Sequence, residues 1–355
     1  MGRAPLGRRA APLARALARR RRGGLEAAPR RRRRLIVSPS PYGTCADIAG
    51  IAEVCHRYGK PLIVDEAWGA HLPFHEPLPT WAMSAGADVC VVSVHKMGLG
   101  LEQGSVFHVQ GDLVDPSHLS QCADLLMTTS PNVLVYAAMD GWRRHMVREG
   151  DRLLGGALDL STRVRASIER IDGLHVLEEE FLGAEASHDL DRLHAVIDLD
   201  GLGVSGYQAA DWIRAEHALD VSLSDHRRIG VEISIADDET TTGWLLAALR
   251  DLSAHAGDLP APARIDLPDP GELELDSVCT PREAFFGGTE SVPIGEAEGR
   301  IAAELATPYP PGIPAFVPGE RLTGAVLSYL RSGLEIGMTV PDVTDTSLQT
   351  VRVRR

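Results

Sequence analysis

Two short apolar runs, each ending in residues that can do chemistry, constrain this chain more than any other feature. LIVDEAWGAH (residues 62–71) places a carboxylate, Asp65, at the end of its apolar part, and VVSVHK (91–96) closes on Ser93, His95 and Lys96. Apolar runs of this length without polar alternation are the pattern of strands buried on both faces of a parallel α/β sheet, where ligands collect at the carboxyl ends. Asp65 and Lys96 are therefore expected on one rim of one sheet.

The flanking sequence supplies the alternation that such a sheet needs. Residues 35–37 read as a strand end and SPSPYG (38–43) as a loop rich in turn residues. Thr44 is placed to N-cap a helix whose apolar positions Ile48, Ile51 and Val54, with Cys55, recur at helical spacing, and Gly59 is a fitting stop. A second helix is expected over 78–85, and a strand over 89–94 leads to Lys96. This βαβαβ order implies parallel strands with right-handed crossovers. The glycines of GLGLEQGS (98–105) precede a strand-like run, so the phosphate-cradling motifs that open a helix do not apply, and a tight turn is the expected use.

Further on, residues 111–150 read as helical with a break at TTSP (128–131), and a long helix over 152–171 leads to strands at 176–177, 195–199 and 231–235. Pro260, Pro262, Pro268 and Pro270 mark a linker. The segment 281–286 and helices over 296–306 and 322–332 follow, around PYPPGIP (308–314). The expected division is a head (1–34), a large domain (35–150), a small α+β domain (151–255), a linker (256–275) and a terminal domain (276–355).

Composition narrows the function classes. With 44% hydrophobic and 24% charged residues the chain reads as a globular protein, and no apolar run approaches the roughly 20 residues of a membrane-spanning helix. Its 5 cysteines show neither CxxC nor Cys/His clustering, which argues against disulfides or a metal site and for a reducing cytoplasm. Residues 1–34 hold 13 arginines and one acid, leaving the other 321 residues 23 basic against 48 acidic groups. A body so acidic repels nucleic acid and suits cationic small molecules. Three readings of the head stay open: a nucleic-acid-binding arm making non-specific contacts, an Arg-rich targeting peptide, or a segment foreign to the fold. Its lack of aromatic residues and of serine weighs for the last.

Of the 36 basic residues only Lys60 and Lys96 are lysine. A chain that otherwise uses arginine, yet has lysine after His95, suggests a task that a permanently charged guanidinium cannot do, such as adding to an aldehyde. Pyridoxal 5'-phosphate needs such an amine to hold it as a Schiff base, and an acid to keep its ring nitrogen protonated. Lys96 and Asp65 supply both in a plausible order. The bland alternative is a capping Asp and a surface Lys, which describes most single residues of these types.

SPSPYG, VDEAWGAH, SVHK, TTSP, TPREAFF (280–286), PYPPGIP and PGER (318–321) together resemble the bacterial Orn/Lys/Arg decarboxylases, pyridoxal-phosphate enzymes of fold type I. The resemblance implies a partial fold type I large domain with a parallel-rich sheet, then an α+β small domain and a C-terminal decarboxylase domain. It implies that Lys96 is the Schiff-base lysine, that Asp65 partners the ring nitrogen, and that Ser93 and His95 flank the cofactor. Trp68 approaches the 3-hydroxyl side of the ring, and Thr129 or Ser130 serves the phosphate of a neighbouring subunit in a homodimer or higher oligomer. Lys96 or His95 returns the proton after a basic amino acid loses CO2, and Glu290 and Glu320 are candidates to meet the substrate's distal cation. The family's phosphate-binding turn is expected upstream of SPSPYG, where this chain has its Arg-rich head. An inactive remnant that pairs with a complete homologue therefore stands as the alternative to an arginine, lysine or ornithine decarboxylase.

Overall fold

The computed structural model describes residues 34–183, 186–309 and 312–355, so the head up to residue 33 lies outside the described residues. The chain opens with β1 (Arg34–Val37), the short β2 (Thr44–Cys45), α1 (Ile48–Arg57), β3 (Leu62–Asp65), β4 (Val89–Ser93) and β5 (Ser105–Val109). They form a four-stranded sheet in the order β1-β3-β4-β5, parallel for the first three strands and antiparallel at β5. Leu62, Val64, Cys90 and Val92 are buried in it, as expected of strands covered on both faces. Val37 pairs with Asp65 and Asp65 with Val91, so the carboxyl ends of β1, β3 and β4 share one rim.

Two local expectations are corrected here. The cap of α1 is Asp47, whose Oδ1 accepts the Gly50 N–H at 2.9 Å; Thr44 is drawn instead into an antiparallel pair with Leu190. No helix forms over 78–85, which is a series of turns. The N–H of Ala82 is held by a Glu66 carboxylate oxygen at 3.0 Å, and so short a segment gains little from helical bonds.

Helix α2 (Pro116–Leu126) and helix α3 (Val133–Ile168) follow, broken at TTSP as expected, with Asn132 capping α3. The helices expected on either side of residue 151 are one continuous element of 36 residues. Its far end packs on a second sheet, built from β6 (His175–Leu177), β8 (His194–Asp198), β9 (Leu223–Ser224) and β10 (Arg228–Glu232) in the order β6-β8-β10-β9. β7 (Asp189–Leu190) stands apart and pairs with β2. Helices α4 (Gly206–His217) and α5 (Glu239–His255) close a core of Ile168, Ile197, Ile213, Ile229, Leu249 and Leu252.

A proline-rich stretch leads to α6 (Pro281–Phe286), the hairpin-like pair β11 (Thr289–Pro293) and β12 (Thr350–Arg354), and α7 (Gly324–Glu335). The helix expected over 296–306 is absent. Ile301, Ala302 and Ala306 make β-bridges to Arg321, Val353 and Phe316, and Gly299 at φ 77° turns the chain out of helical geometry.

Candidate active site

Asp65 stands where β3 ends, and its Oδ1 accepts the N–H of Ala67 at 3.1 Å, which orients the carboxylate at the sheet rim. Lys96 lies three residues beyond β4, in a turn closed by its N–H to the Ser93 carbonyl at 3.2 Å. The turn needs glycine, because a Cβ at Gly98 would sit 2.5 Å from the Val94 carbonyl. The amine of Lys96 hangs 4.5 Å from the centroid of the Trp68 ring, a cation–π contact. Burial lowers its pKa, and the negative charge of Asp65 opposes that from close by. No carboxylate among the described residues lies within ion-pair distance of the amine. Lys96, Asp65 and Trp68 thus form one half-buried group.

His95 donates from Nδ1 to the Gly104 carbonyl at 3.2 Å, which turns Nε2 toward Glu102 at 3.7 Å. Ser93 closes β4 in register with Ser105. Ser130 is exposed between α2 and α3, and its hydrogen bond, from its own N–H to Thr128, is local. Thr129 is exposed beside it. Of the acids proposed for the substrate's distal end, Glu290 pairs with Arg300, and Glu320 is buried and accepts the Val317 N–H.

The structure adds residues that sequence reasoning passed over. Glu66 follows Asp65 but, by strand alternation, points to the opposite face, where Oε1 takes the Ala82 N–H and Oε2 the Cys90 thiol at 3.1 Å. Burial pushes its carboxyl up to about 8. Folded Glu66 therefore keeps its proton where unfolded Glu66 loses it, so its contribution is full below about pH 4.5 and is lost as pH rises toward 8. Glu66→Gln is expected to remove that decline, equalling the native protein at about pH 4 and exceeding its urea midpoint at pH 8. An unchanged pH slope would show Glu66 to be ionised in the fold.

A second addition is a buried cluster. Asp191 accepts from Nε2 of His71 at 2.9 Å and from Nδ1 of His194 at 3.1 Å, all three side chains being at most 2% exposed. Burial would raise Asp191, but the two imidazoles hold it well below the carboxylate range. For His194 burial works downward, and the bond to Asp191 outweighs it, raising the imidazole. The His194 and Trp68 rings make a T-shaped contact, centroids 5.7 Å apart. His71 lies within VDEAWGAH, but nothing in the sequence links it to an acid 120 positions away.

Two family models match the chain: Orn/Lys/Arg decarboxylase, major domain, over residues 17–191, and Orn/Lys/Arg decarboxylase, C-terminal domain, over residues 270–350. An arginine decarboxylase of Bacillus anthracis is 38% identical over 322 residues, covering 90% of this chain and 64% of its own length. One from Bacillus subtilis is 34% identical, covering 90% and 65%. Among solved structures, lysine decarboxylase A from Pseudomonas aeruginosa superimposes with a TM-score of 0.70 at 21% identity, covering 91% of this chain and 57% of that one. The constitutive lysine decarboxylase of Escherichia coli gives 0.68 at 20%, covering 90% and 58%. The chain spans roughly two thirds of the length of the curated relatives it matches. The fold, with its mixed sheet and helices, is that of these pyridoxal-phosphate enzymes. By both family matches and by these identities, the chain belongs to the Orn/Lys/Arg decarboxylase family.

Proposed function

We propose that this chain is a pyridoxal-phosphate-dependent decarboxylase of a basic amino acid: arginine, lysine or ornithine. The observation that carries the reading is a partly desolvated amine, without an ion-pair partner among the described residues, within electrostatic reach of a carboxylate at the carboxyl ends of neighbouring parallel strands. The family's cofactor fits this pair. When bound, pyridoxal phosphate supplies an aldehyde that an amine can capture and a ring that accepts the electron pair left by departing CO2. Lys96 is the amine that would hold it, and its lowered pKa leaves more of it unprotonated near neutral pH. Asp65 is the acid that would keep a proton on the ring nitrogen. Trp68 shields one side of the amine from water. His95, anchored through its Nδ1–H, leaves Nε2 one residue from Lys96 as a base that can take up a proton and return it.

The acidic body favours a cationic substrate, and the names of the Bacillus relatives favour arginine. No helix among the described residues is long and apolar enough to cross a membrane. The free thiols of Cys45, Cys55, Cys90, Cys122 and Cys279 support a cytoplasmic setting. Release of labelled CO2 from carboxyl-labelled arginine, lysine and ornithine, with added cofactor, tests the activity. Cofactor binding without release from any of the three would favour the inactive remnant.

The reading includes a homodimer. On the described surface Leu125, Leu126, Val133 and Leu134 are 69–90% exposed, an apolar patch around Thr129 and Ser130 of the kind that marks an association face. Leu126→Asp combined with Leu134→Asp is expected to yield monomer by light scattering and to weaken cofactor retention. A dimer that survives this pair places the interface elsewhere.

A further inference from the structure

Three stretches far apart in sequence meet on one residue, Asp191. Besides the two imidazoles, Asp191 Oδ1 accepts the Leu193 N–H at 3.1 Å, and the Asp191 N–H donates to the Gly43 carbonyl at 2.8 Å. Gly43, with φ 80°, comes so close that a Cβ there would stand 2.8 Å from the His194 Cβ. SPSPYG, VDEAWGAH and the start of β8 are thereby joined at one buried point between the first and second sheets.

Since the Asp191 carboxylate is ionised, it can only accept, so each imidazole donates to it and its ring plane is set by that bond. His194 cannot turn without giving up the bond. Its ring is therefore held in the T-shaped contact with Trp68, and the face of Trp68 carries the Lys96 amine. We propose that Asp191, His71 and His194 form a positioning cluster, which fixes the tilt of the Trp68 indole and through it the place of the Lys96 amine relative to Asp65.

A cluster that only stapled the two sheets together would need Asp191 and His71 alone. It would not need a second imidazole packed against the indole that carries the Lys96 amine. An apolar contact of the same volume would staple as well without burying a carboxylate among imidazoles. The bond network gives what an apolar contact cannot, a fixed ring orientation.

The role assigned to Lys96 rests on the reading above, but the test does not need cofactor or turnover. Because the chain holds two lysines, reductive methylation with labelled formaldehyde places only Lys60 and Lys96 in the lysine region of the spectrum of the full chain, freed of bound carbonyl compounds by cysteine. In the native protein the Lys96 methyls are expected upfield of those of Lys60, shifted by the indole, with NOEs to Trp68. His194→Asn keeps an N–H for Asp191 and removes the ring. It is expected to lose most of the upfield displacement and to raise the Lys96 pKa toward the ordinary lysine value, while circular dichroism stays native. Asp191→Asn, with one acceptor oxygen left, is expected to do the same more weakly.

Native-like folding of either variant with Lys96 signals unmoved overturns the proposal. Should neither variant fold, the native spectrum decides. NOEs linking Lys96 to Trp68 and Trp68 to His194 sustain the proposal, and a Lys96 signal at the Lys60 position overturns it. A cofactor band absent from every protein, with these shifts intact, would sink the decarboxylase reading and leave the positioning cluster standing.

Discussion

Replacing Lys96 with alanine is expected to abolish the visible absorbance band predicted for the full chain with pyridoxal phosphate and to lower CO2 release by at least about 10⁴-fold, the scale on which covalent catalysts fail without their nucleophile. The chain has one other lysine, Lys60, on the loop before β3, and the alanine variant leaves that side chain untouched. The contrast is therefore unusually clean: a band that persists in Lys96→Ala assigns the cofactor to Lys60 or to the N-terminal amine and removes Lys96 from the reaction. Stability should change little, since Lys96 is half-buried and forms no ion pair among the described residues. Loss of the band with an unchanged melting temperature is the pattern expected of a catalytic residue. Loss of both would point to an unfolded protein.

The second large effect concerns stability. Asp191→Ala leaves two buried imidazole N–H groups without their acceptor and removes the charge that favours His194 in its protonated form. Breaking a buried polar pair from one side costs on the order of 3–5 kcal/mol, which for a cooperative unit of this size is a drop of roughly 10 °C in Tm. The pH dependence has a definite sign. Asp191 is depressed in the fold, so its contribution is present above the unfolded Asp value and is lost as pH falls through the folded one. His194 is raised, so its contribution is present below the unfolded imidazole value and fades as pH climbs past the folded one. The gap between native protein and Asp191→Ala, measured by urea denaturation, is thus widest between about pH 4 and 6.5. A gap that grows steadily above pH 8 would mean that the imidazoles are not paired with this acid.

Much of the candidate site was legible before any coordinates. The apolar runs at 62–65 and 89–93 had no polar alternation, and only a sheet covered on both faces accommodates such strands, so Asp65 and Lys96 fell on a common rim. Trp68, three residues after Asp65, meets the Lys96 amine, while the roles of Ser93 and His95 came from the family resemblance. The helix breaks at TTSP and Gly59 were equally readable, because proline and glycine act locally. The local errors share a cause. Thr44 was a reasonable cap and 78–85 a reasonable helix by local rules, but Leu190 claimed the first for a strand pair and Glu66 claimed an N–H of the second.

Sequence alone therefore determined the chemistry on offer: an amine where arginine was the rule, a carboxylate one strand away, and motifs that resemble one decarboxylase family. Only the tertiary structure decided how those groups are held. Glu66 became a neutral buried acid because the strand's pleat turned it inward, and Asp191 gathered His71 and His194 because folding brought together residues 120 positions apart. Strand period and turn chemistry are short-range and leave their mark in the order of residues. Desolvation and hydrogen bonding between distant segments depend on which surfaces meet, and no local pattern records that.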